Sequence, residues 1–216
     1  KRAYKLVDTC SAEFLSKTPY LYSTFGTSDD DRASKNKKVV VIGSGPNRIG
    51  QGIEFDYCCV HGVESLKENN YEAIMINSNP ETVSTDYDTA DKLYFEPLSW
   101  DEVKAVLARE KPDSVIIQLG GQTPLKLADK ISSAGYKIAG SSLDVIDATE
   151  DRDLFQKLCL SLNIDQPKSK ISFNEDELIS AVKEITYPVL LRPSYVLGGR
   201  AMRVVKNDTE LKNYLS

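Results

Sequence analysis

The chain has 216 residues, enough for one or two domains with a sizeable core. Hydrophobic residues make up 41% and charged residues 27%, and 27 Lys and Arg against 32 Asp and Glu give a formal net charge of −5. A mildly acidic chain is a poor candidate for nucleic-acid binding, because phosphate contacts need clustered basic residues. The longest apolar runs fall far short of the roughly 20 residues of a membrane-spanning helix. Composition therefore favours a globular protein that binds neither nucleic acid nor membrane.

The cysteine and histidine content argues against a metal or disulfide framework. The cysteines are Cys10, Cys58, Cys59 and Cys159, with no C-x-x-C pair. His61 is the only histidine, which excludes a His-rich metal site. We therefore expect reduced thiols in an intracellular, cytoplasmic protein, with an organelle left open.

The first 37 residues differ in pattern from the rest. Several aromatic residues precede position 26 without a sustained period, and the stretch Thr27–Lys37 is polar and charged. Such a composition buries little surface, so this stretch is interpreted as a loop or linker.

From Lys38 onward, short apolar runs alternate with amphipathic helical segments. Near-continuous apolar strands separated by helices indicate a parallel sheet covered on both faces, hence an α/β domain. The candidate strands are Lys38–Ile42, Ala73–Asn77, Lys92–Phe95, Ser114–Leu119 and Lys137–Ala139.

The order of elements changes at about Ala148. A helix with Leu154, Phe155, Leu158, Cys159 and Leu162 comes first, and a strand is predicted over Ser169–Phe173. A further helix then begins.

Asn174 is the expected N-cap of that helix, and Glu177 occupies the capping-box position. A buried strand over Pro188–Pro193 and a partner strand over Met202–Val205 complete the pattern. This part resembles the beginning of a second, α+β domain that the chain does not finish.

A glycine-rich segment, Gly43–Gly52, directly follows the first of these strands. Such a turn places backbone N–H groups at a helix N-terminus, where an anion can bind. The spacing departs from the dinucleotide fingerprint, and the next strand ends at Asn77 rather than at an acidic residue. The phosphate-binding lysine of the P-loop is missing too. A close strand–helix packing turn is an equally good interpretation.

Three polar segments occupy further strand ends or helix starts. They are Glu54–Tyr57, Asn77–Asp88 and Gln118–Pro124. Open α/β sheets bind ligands at the carboxyl ends of their strands, although plain turn chemistry and the helix dipole also explain such residues.

Two arginines are placed where an anion would suit them. Arg152 lies near a helix start, which opposes the dipole unless flanking carboxylates or a phosphate pair with it. Arg192 leaves an apolar strand ahead of the flexible pair Gly198 and Gly199. The alternative for the second motif is a tight hairpin with a salt-bridged arginine.

Five motifs in register resemble the large chain of carbamoyl phosphate synthase, in its C-terminal synthetase half. The resemblance runs along nearly all of the chain, through Gly45–Cys58, Asn77–Asp88, Gly120–Pro124, Glu150–Arg152 and Arg192–Met202. It implies three parts. Residues 1–36 are the end of a helical oligomerisation region and its linker, 37–147 a Rossmann-like pre-ATP-grasp α/β domain, and 148–216 the N-terminal part of an ATP-grasp domain.

The resemblance also implies an activity and a set of roles. This half uses MgATP to phosphorylate carbamate, giving carbamoyl phosphate and ADP for pyrimidine and arginine synthesis. Ammonia comes from a glutaminase subunit or fused domain and reaches the other half first, and an oligomer is possible. Arg152, Arg192, Gly198 and Gly199 would contact ATP, and Glu54 would line the carbamate route or site.

The metal ligands of the family lie beyond Ser216, so we expect no metal site in this chain and no activity from it alone. Two alternatives come from other classes. One is a biotin-carboxylase-like ATP-grasp enzyme, which shares the architecture but not the segment Asn79–Asp86. The other is a non-catalytic nucleotide-binding or assembly module.

Overall fold

The computed structural model describes residues 2–46, 52–193 and 201–215. The chain divides into two compact units, Lys1–Asp147 and Ala148–Ser216. Each unit has its own apolar core among the described residues. No helix in these ranges combines the length and the apolar character needed to cross a membrane.

The first unit is built on a six-stranded sheet with the strand order β1-β2-β5-β4-β3-β6. Strands β2 to β6 run parallel where they pair, and β1 pairs antiparallel with β2. The strands are β1 (Arg2–Leu6), β2 (Tyr20–Phe25), β3 (Lys38–Ile42), β4 (Glu72–Asn77), β5 (Lys92–Phe95) and β6 (Ser114–Ile116). The predicted parallel α/β fold is confirmed.

Helices cover both faces of this sheet. They are α1 (Glu54–Glu68), α2 (Trp100–Glu110), α3 (Gln122–Leu125), α4 (Ala128–Ser133) and α5 (Leu143–Glu150), with a 3-10 turn over Val83–Thr85. Alternate residues of β3 belong to different cores. Val40 packs with residues of α2 and α4, while Val41 packs with residues of α1. Because strand side chains alternate between faces, this division explains why β3 is apolar at four successive positions.

The first 25 residues contribute two strands that the sequence pattern did not predict. Strand β2 joins the sheet by pairing Tyr20 with Leu93 of β5. Tyr4 of β1 is buried and meets Tyr94 edge-on, with ring centroids 5.1 Å apart. Long-range pairing and aromatic packing hold this hairpin in the sheet, and neither leaves a local period in the sequence.

The polar stretch after β2 is bound to the sheet by an ionic cluster at the amino ends of the strands. We define the amino-edge network as Asp31, Lys38, Lys92, Arg109 and Glu110. Lys38 Nζ lies 3.1 Å from Glu110 Oε2, and Lys92 Nζ lies 2.7 Å from Asp31 Oδ2. Lys38 and Glu110 are buried. The stretch is thus a structured part of the first unit, although its composition predicts a loop or linker.

Two predicted strands are shorter in the structure. Strand β6 ends at Ile116, and the run Lys137–Ala139 contributes one isolated bridge, from Ile138 to Val115. The segment after β6 bends because Gly120 passes directly over the carboxyl end of β3. A Cβ atom added at Gly120 would lie 2.6 Å from the Ile42 carbonyl oxygen, so this position has room only for glycine.

In its described residues, the second unit has three helices of its own and a two-stranded antiparallel sheet. The elements are α6 (Arg152–Ser161), α7 (Glu175–Ile185), β7 (Val189–Leu191), β8 (Arg203–Val205) and α8 (Asp208–Leu215). Asn174 caps α7 as predicted, because its side chain accepts a 2.9 Å hydrogen bond from the Glu177 N–H.

Three features of the second unit differ from the sequence interpretation. The segment Ser169–Phe173 forms no strand. Strand β7 buries only alternate residues, and Leu190 is exposed opposite Val204 of β8. Of the five apolar residues from which the first helix of this unit was predicted, four are exposed, namely Leu154, Phe155, Leu158 and Leu162.

Candidate functional site

The carboxyl ends of β3 and β6 form the point where the sheet order reverses. The connection after β3 leads to β4 on one side, while β6 pairs on the other side of β3. In open α/β sheets such a reversal leaves a crevice outside the strand ends, where ligands bind. Three of the segments predicted from sequence meet here: 43–46 after β3, the loop after β4, and 118–121 after β6.

Asn77 joins the first two of these segments. It is the last residue of β4 and is fully buried. Its Oδ1 accepts hydrogen bonds from the Gly45 N–H at 3.1 Å and the Asn79 N–H at 3.3 Å. Its Nδ2 donates to Ser84 Oγ at 3.1 Å and lies 3.5 Å from Asp56 Oδ1. One amide therefore connects β4, the turn after β3, the loop after β4 and the start of α1.

Asp56 is a buried carboxylate in the first turn of α1 that is held by neutral donors. Its Oδ2 accepts from Thr82 Oγ1 at 2.7 Å and from the Ser84 N–H at 2.8 Å. Its Oδ1 accepts from Ser84 Oγ at 2.5 Å. Several short hydrogen bonds offset part of the cost of burying a charge. Sequence reasoning missed this role, because an acidic residue in a first helical turn is ordinary.

Glu54 begins α1 and its side chain is exposed. Its Oε1 accepts a 3.1 Å hydrogen bond from the Gly52 N–H. A bond from its own backbone N–H and the bond from Gly52 lower the pKa of the Glu54 carboxyl below its ordinary value. The group is therefore an anion at neutral pH, placed at the carboxyl edge beside the sheet reversal.

Part of the glycine-rich motif lies outside the described residues. Residues 47–51 belong to this part, which includes Gly50 of the predicted anion-binding turn. Gly45 is described and has a φ of +70°, a backbone conformation that favours glycine.

The second unit carries the two predicted ATP-binding arginines. Arg152 begins α6, after the N-cap Asp151, and Arg192 directly follows β7. Both side chains are exposed, so Arg192 is not desolvated although it follows an apolar strand. Asp151 accepts from the backbone N–H groups of Asp153 and Leu154 at 2.9 Å. Within the described residues neither arginine has a hydrogen-bond or ion-pair partner, which leaves both guanidinium groups available to an anion.

The two glycines predicted to cover phosphate, Gly198 and Gly199, lie outside the described residues. The structure groups Arg152 with Arg192 in one unit and places Glu54 in the other. Across the described ranges there is no cluster of three or more His, Cys, Asp or Glu side chains able to hold a metal ion.

Comparison with known proteins gives two family matches. Residues 35–148 match the model described as the carbamoyl phosphate synthase preATP-grasp domain. Residues 151–216 match the carbamoyl-phosphate synthase L chain, ATP binding domain. The first of these alone covers more than half of the chain.

Curated relatives agree with these matches. The chain is 56% identical over all of its 216 residues to the carbamoyl phosphate synthase large chain of Clostridium acetobutylicum. It is 54% identical over 213 residues, 99% of its length, to the large chain of Archaeoglobus fulgidus. In each case it spans 20% of the relative's length.

Solved structures show the same fold at low identity. The biotin carboxylase domain of 2-oxoglutarate carboxylase from Hydrogenobacter thermophilus, solved with MgADP, ADP and bicarbonate, has a TM-score of 0.62 at 20% identity. The match covers 83% of this chain and 40% of that one. D-alanine–D-alanine ligase from Bacillus anthracis, solved with ATP, has a TM-score of 0.51 at 17% identity and covers 84% of this chain and 52% of the ligase.

Proposed function

The chain belongs to the carbamoyl phosphate synthase large-chain family, and from that premise we propose that it is part of the half that phosphorylates carbamate. A carbamate oxygen attacks the γ-phosphorus of ATP, the bond from that phosphorus to the β–γ bridging oxygen breaks, and ADP leaves. The products are carbamoyl phosphate and ADP. We assign this chain to the C-terminal half on the motifs described above.

The single observation that carries this proposal is that two arginine side chains are exposed and unpaired among the described residues. Arg152 and Arg192 are exposed and without partners within the described residues of a unit that matches an ATP-binding domain. Phosphoryl transfer needs little covalent chemistry from the protein, and its demand is for positioning and for neutralising charge on the phosphate oxygens. Guanidinium groups suit this task because their planar donors match phosphate geometry.

We assign three further roles on the same footing. Gly198 and Gly199 allow close approach of the backbone to the phosphates. Glu54 lines the route or site of carbamate. We also propose 37–147 as the pre-ATP-grasp domain and 148–216 as the beginning of the ATP-grasp domain. The divide of the chain after Asp147 supports that boundary.

Mg²⁺ would accompany ATP and neutralise charge on its phosphates when bound. The described residues offer no acidic cluster that fits this ion. In this proposal Arg152 and Arg192 bind and orient the phosphates of ATP.

The partners follow from the same proposal. Carbamate reaches this half from the other synthetase half, which uses ammonia released from glutamine by a glutaminase subunit or domain. We propose that residues 1–216 alone do not catalyse the reaction. The proposal would be wrong if the isolated chain hydrolysed ATP and the Arg192→Ala substitution abolished that hydrolysis.

The deciding experiment follows ATP formation from carbamoyl phosphate and MgADP, the reverse of this step, in the full-length large chain. Removing one charge-stabilising group typically lowers the rate by roughly 100-fold to 1,000-fold. We expect a loss of this size in Arg192→Ala. Arg203→Ala is the matched control, since Arg203 is an exposed arginine of β8. If the wild-type chain binds ADP but forms no ATP, the proposed enzymatic function is wrong and the chain is a nucleotide-binding module.

A further inference from the structure

Both ends of the segment that carries Glu54 are held by one hydrogen-bonded cluster. Near its beginning, the Gly45 N–H donates to Asn77 Oδ1. Beyond its end, Asp56 accepts from Ser84 and Thr82 and faces the Asn77 amide. Asn77 is the residue common to both attachments, and it is fully buried at the end of β4, in which every residue after Glu72 is buried.

Glu54 itself has few contacts that could fix its position. Its side chain is exposed, and the partner of its Oε1 is the N–H of Gly52, two residues away. The N-cap of α1 is Ile53, which offers no side-chain acceptor to the first turn. The orientation of the first turn, and of Glu54 with it, therefore depends on the anchoring of Asp56.

Resting on the function proposed above, we propose that Asn77 is a positioning residue that sets Glu54 in place for the handling of carbamate. It acts through Asp56 and does not touch the substrate. Its amide is suited to this task because one side chain supplies an acceptor to the Gly45 N–H and a donor toward the Asp56 carboxylate.

The packing around the amide supports a single fixed position for it. A Cβ at Gly43 would lie 2.7 Å from Asn77 Cγ and Nδ2, so the side chain occupies space that only a glycine leaves free. Gly43 and Asn77 thus form a matched pair at the ends of neighbouring strands. A side chain locked by packing and hydrogen bonds transmits its position to the groups that it holds.

The test substitutes Asn77→Asp in the full-length large chain. This change keeps the shape and the acceptor for Gly45 but places a second carboxylate 3.5 Å from that of Asp56. When both carboxylates are ionised they repel and displace the first turn of α1, so the assay is run at alkaline pH, which keeps the pair from sharing a proton. The measured quantity is the ratio of ADP released to carbamoyl phosphate formed, with ammonia, bicarbonate and ATP supplied.

We expect this ratio to rise about 10-fold to 100-fold, the loss that a misplacement of about 1 Å produces. Carbamate made by the other half would then be lost before it is phosphorylated. A merely structural role would lower both rates together and leave the ratio unchanged. An unchanged ratio, with or without a loss of both rates, would overturn the proposal.

Two further variants complete the experiment. Asn69→Asp is the matched control, because Asn69 lies at the opposite end of α1 and is exposed, where its Nδ2 donates to the Ser65 carbonyl at 2.8 Å. Ser84→Ala is the milder probe should Asn77→Asp fail to fold. It removes the hydroxyl shared by Asn77 and Asp56 and should raise the same ratio by a smaller factor. A ratio equal to that of the wild type in Ser84→Ala would then count against the proposal.

The test separates failure of this inference from failure of the proposed function. Wild-type chain that forms no ATP from carbamoyl phosphate and MgADP contradicts the function itself. Wild-type chain that does form ATP, alongside an Asn77→Asp variant with an unchanged product ratio, contradicts the role of Asn77 alone.

Discussion

The adjacent residues Cys58 and Cys59 have opposite environments, because neighbouring positions on a helix face different directions. Cys58 is exposed, whereas Cys59 is buried against β3 and β4. Burial, with a smaller contribution from the Asp56 charge, raises the pKa of Cys59 to about 12. Because the thiolate is the reactive form, Cys59 should be inert near neutral pH.

We expect iodoacetamide to label Cys58 and to leave Cys59 unmodified at pH 8 under native conditions, as read by peptide mass mapping. The raised pKa also affects stability. As the pH rises above the ordinary pKa of a cysteine thiol, the Cys59 thiol ionises in the unfolded state but not in the folded state. The free energy of unfolding therefore falls by up to roughly 1.4 kcal/mol per pH unit, until Cys59 ionises in the folded state as well. Cys58→Ser is the control that removes the expected label. Labelling of Cys59 at pH 8 in the folded protein would contradict this prediction.

Sequence reasoning at this scale identified types of residue better than their partners. Asn174 was predicted as an N-cap and is one, because its acceptor and the Glu177 N–H lie three residues apart. Glu177 was predicted to complete a capping box, but its side chain accepts from Asn174 Nδ2 and from the Phe173 N–H instead of the Asn174 N–H. Asn77 and Asp56 were seen only as polar residues at a strand end and a helix start. Their pairing depends on how β4 and α1 are brought together, which no local pattern contains.

The amino-edge network holds several secondary-structure elements of the first unit together. The Glu110 side chain at the end of α2 meets Lys38 and Lys92 from two strands and accepts a hydrogen bond from the Tyr94 hydroxyl. Lys92 Nζ in turn donates to the Arg32 carbonyl of the preceding polar stretch at 2.9 Å. One buried carboxylate thus links a helix, the sheet and a segment that its composition assigns to solvent.

Glu110→Gln should therefore destabilise the first unit by about 3–5 kcal/mol, because it leaves Lys38 buried without its counter-charge. The measurement is urea denaturation, together with hydrogen exchange over residues 29–34, which should lose protection. Glu64→Gln is the control, since Glu64 on α1 is exposed and pairs only with His61 among the described residues. A shift of Glu110→Gln no larger than that of the control would contradict this assignment.

The parallel strands were predictable because each is a short apolar run between helical segments. The bounds of β3 and β5 agree with the prediction at both ends. Strands β1 and β2 were not predictable. Their hairpin is half-exposed and owes its place to Leu93 of β5 and to Tyr94. Tertiary pairing of this kind overrides local propensity.

The whole molecule consists of two units with different amounts of core. The first holds two clusters of buried apolar residues, one on each face of its sheet, and the second holds a smaller cluster around β7, β8 and α7. The many exposed apolar side chains of the second unit, such as Phe155 and Leu190, agree with this difference. Domain-sized cores on both faces of a sheet are what independent folding requires.

We expect residues 1–147 alone to unfold in a single cooperative transition. Trp100 is the only tryptophan of the chain and lies in α2, so its fluorescence reports on the first unit. Leu107→Ala should lower the free energy of unfolding by about 2–5 kcal/mol, because Leu107 is fully buried on the same helix. A gradual, non-cooperative change in Trp100 fluorescence would contradict this expectation.

The pairing of β2 with β5 has a consequence for a chain made from its N-terminus on the ribosome. The hairpin of β1 and β2 is synthesised first, but Tyr20 must wait for Leu93 before the open edge of β2 finds its partner. During that interval the edge presents unpaired N–H and C=O groups to any other nascent strand. The interval between the synthesis of β2 and that of β5 is therefore when this part of the chain most needs protection by chaperones.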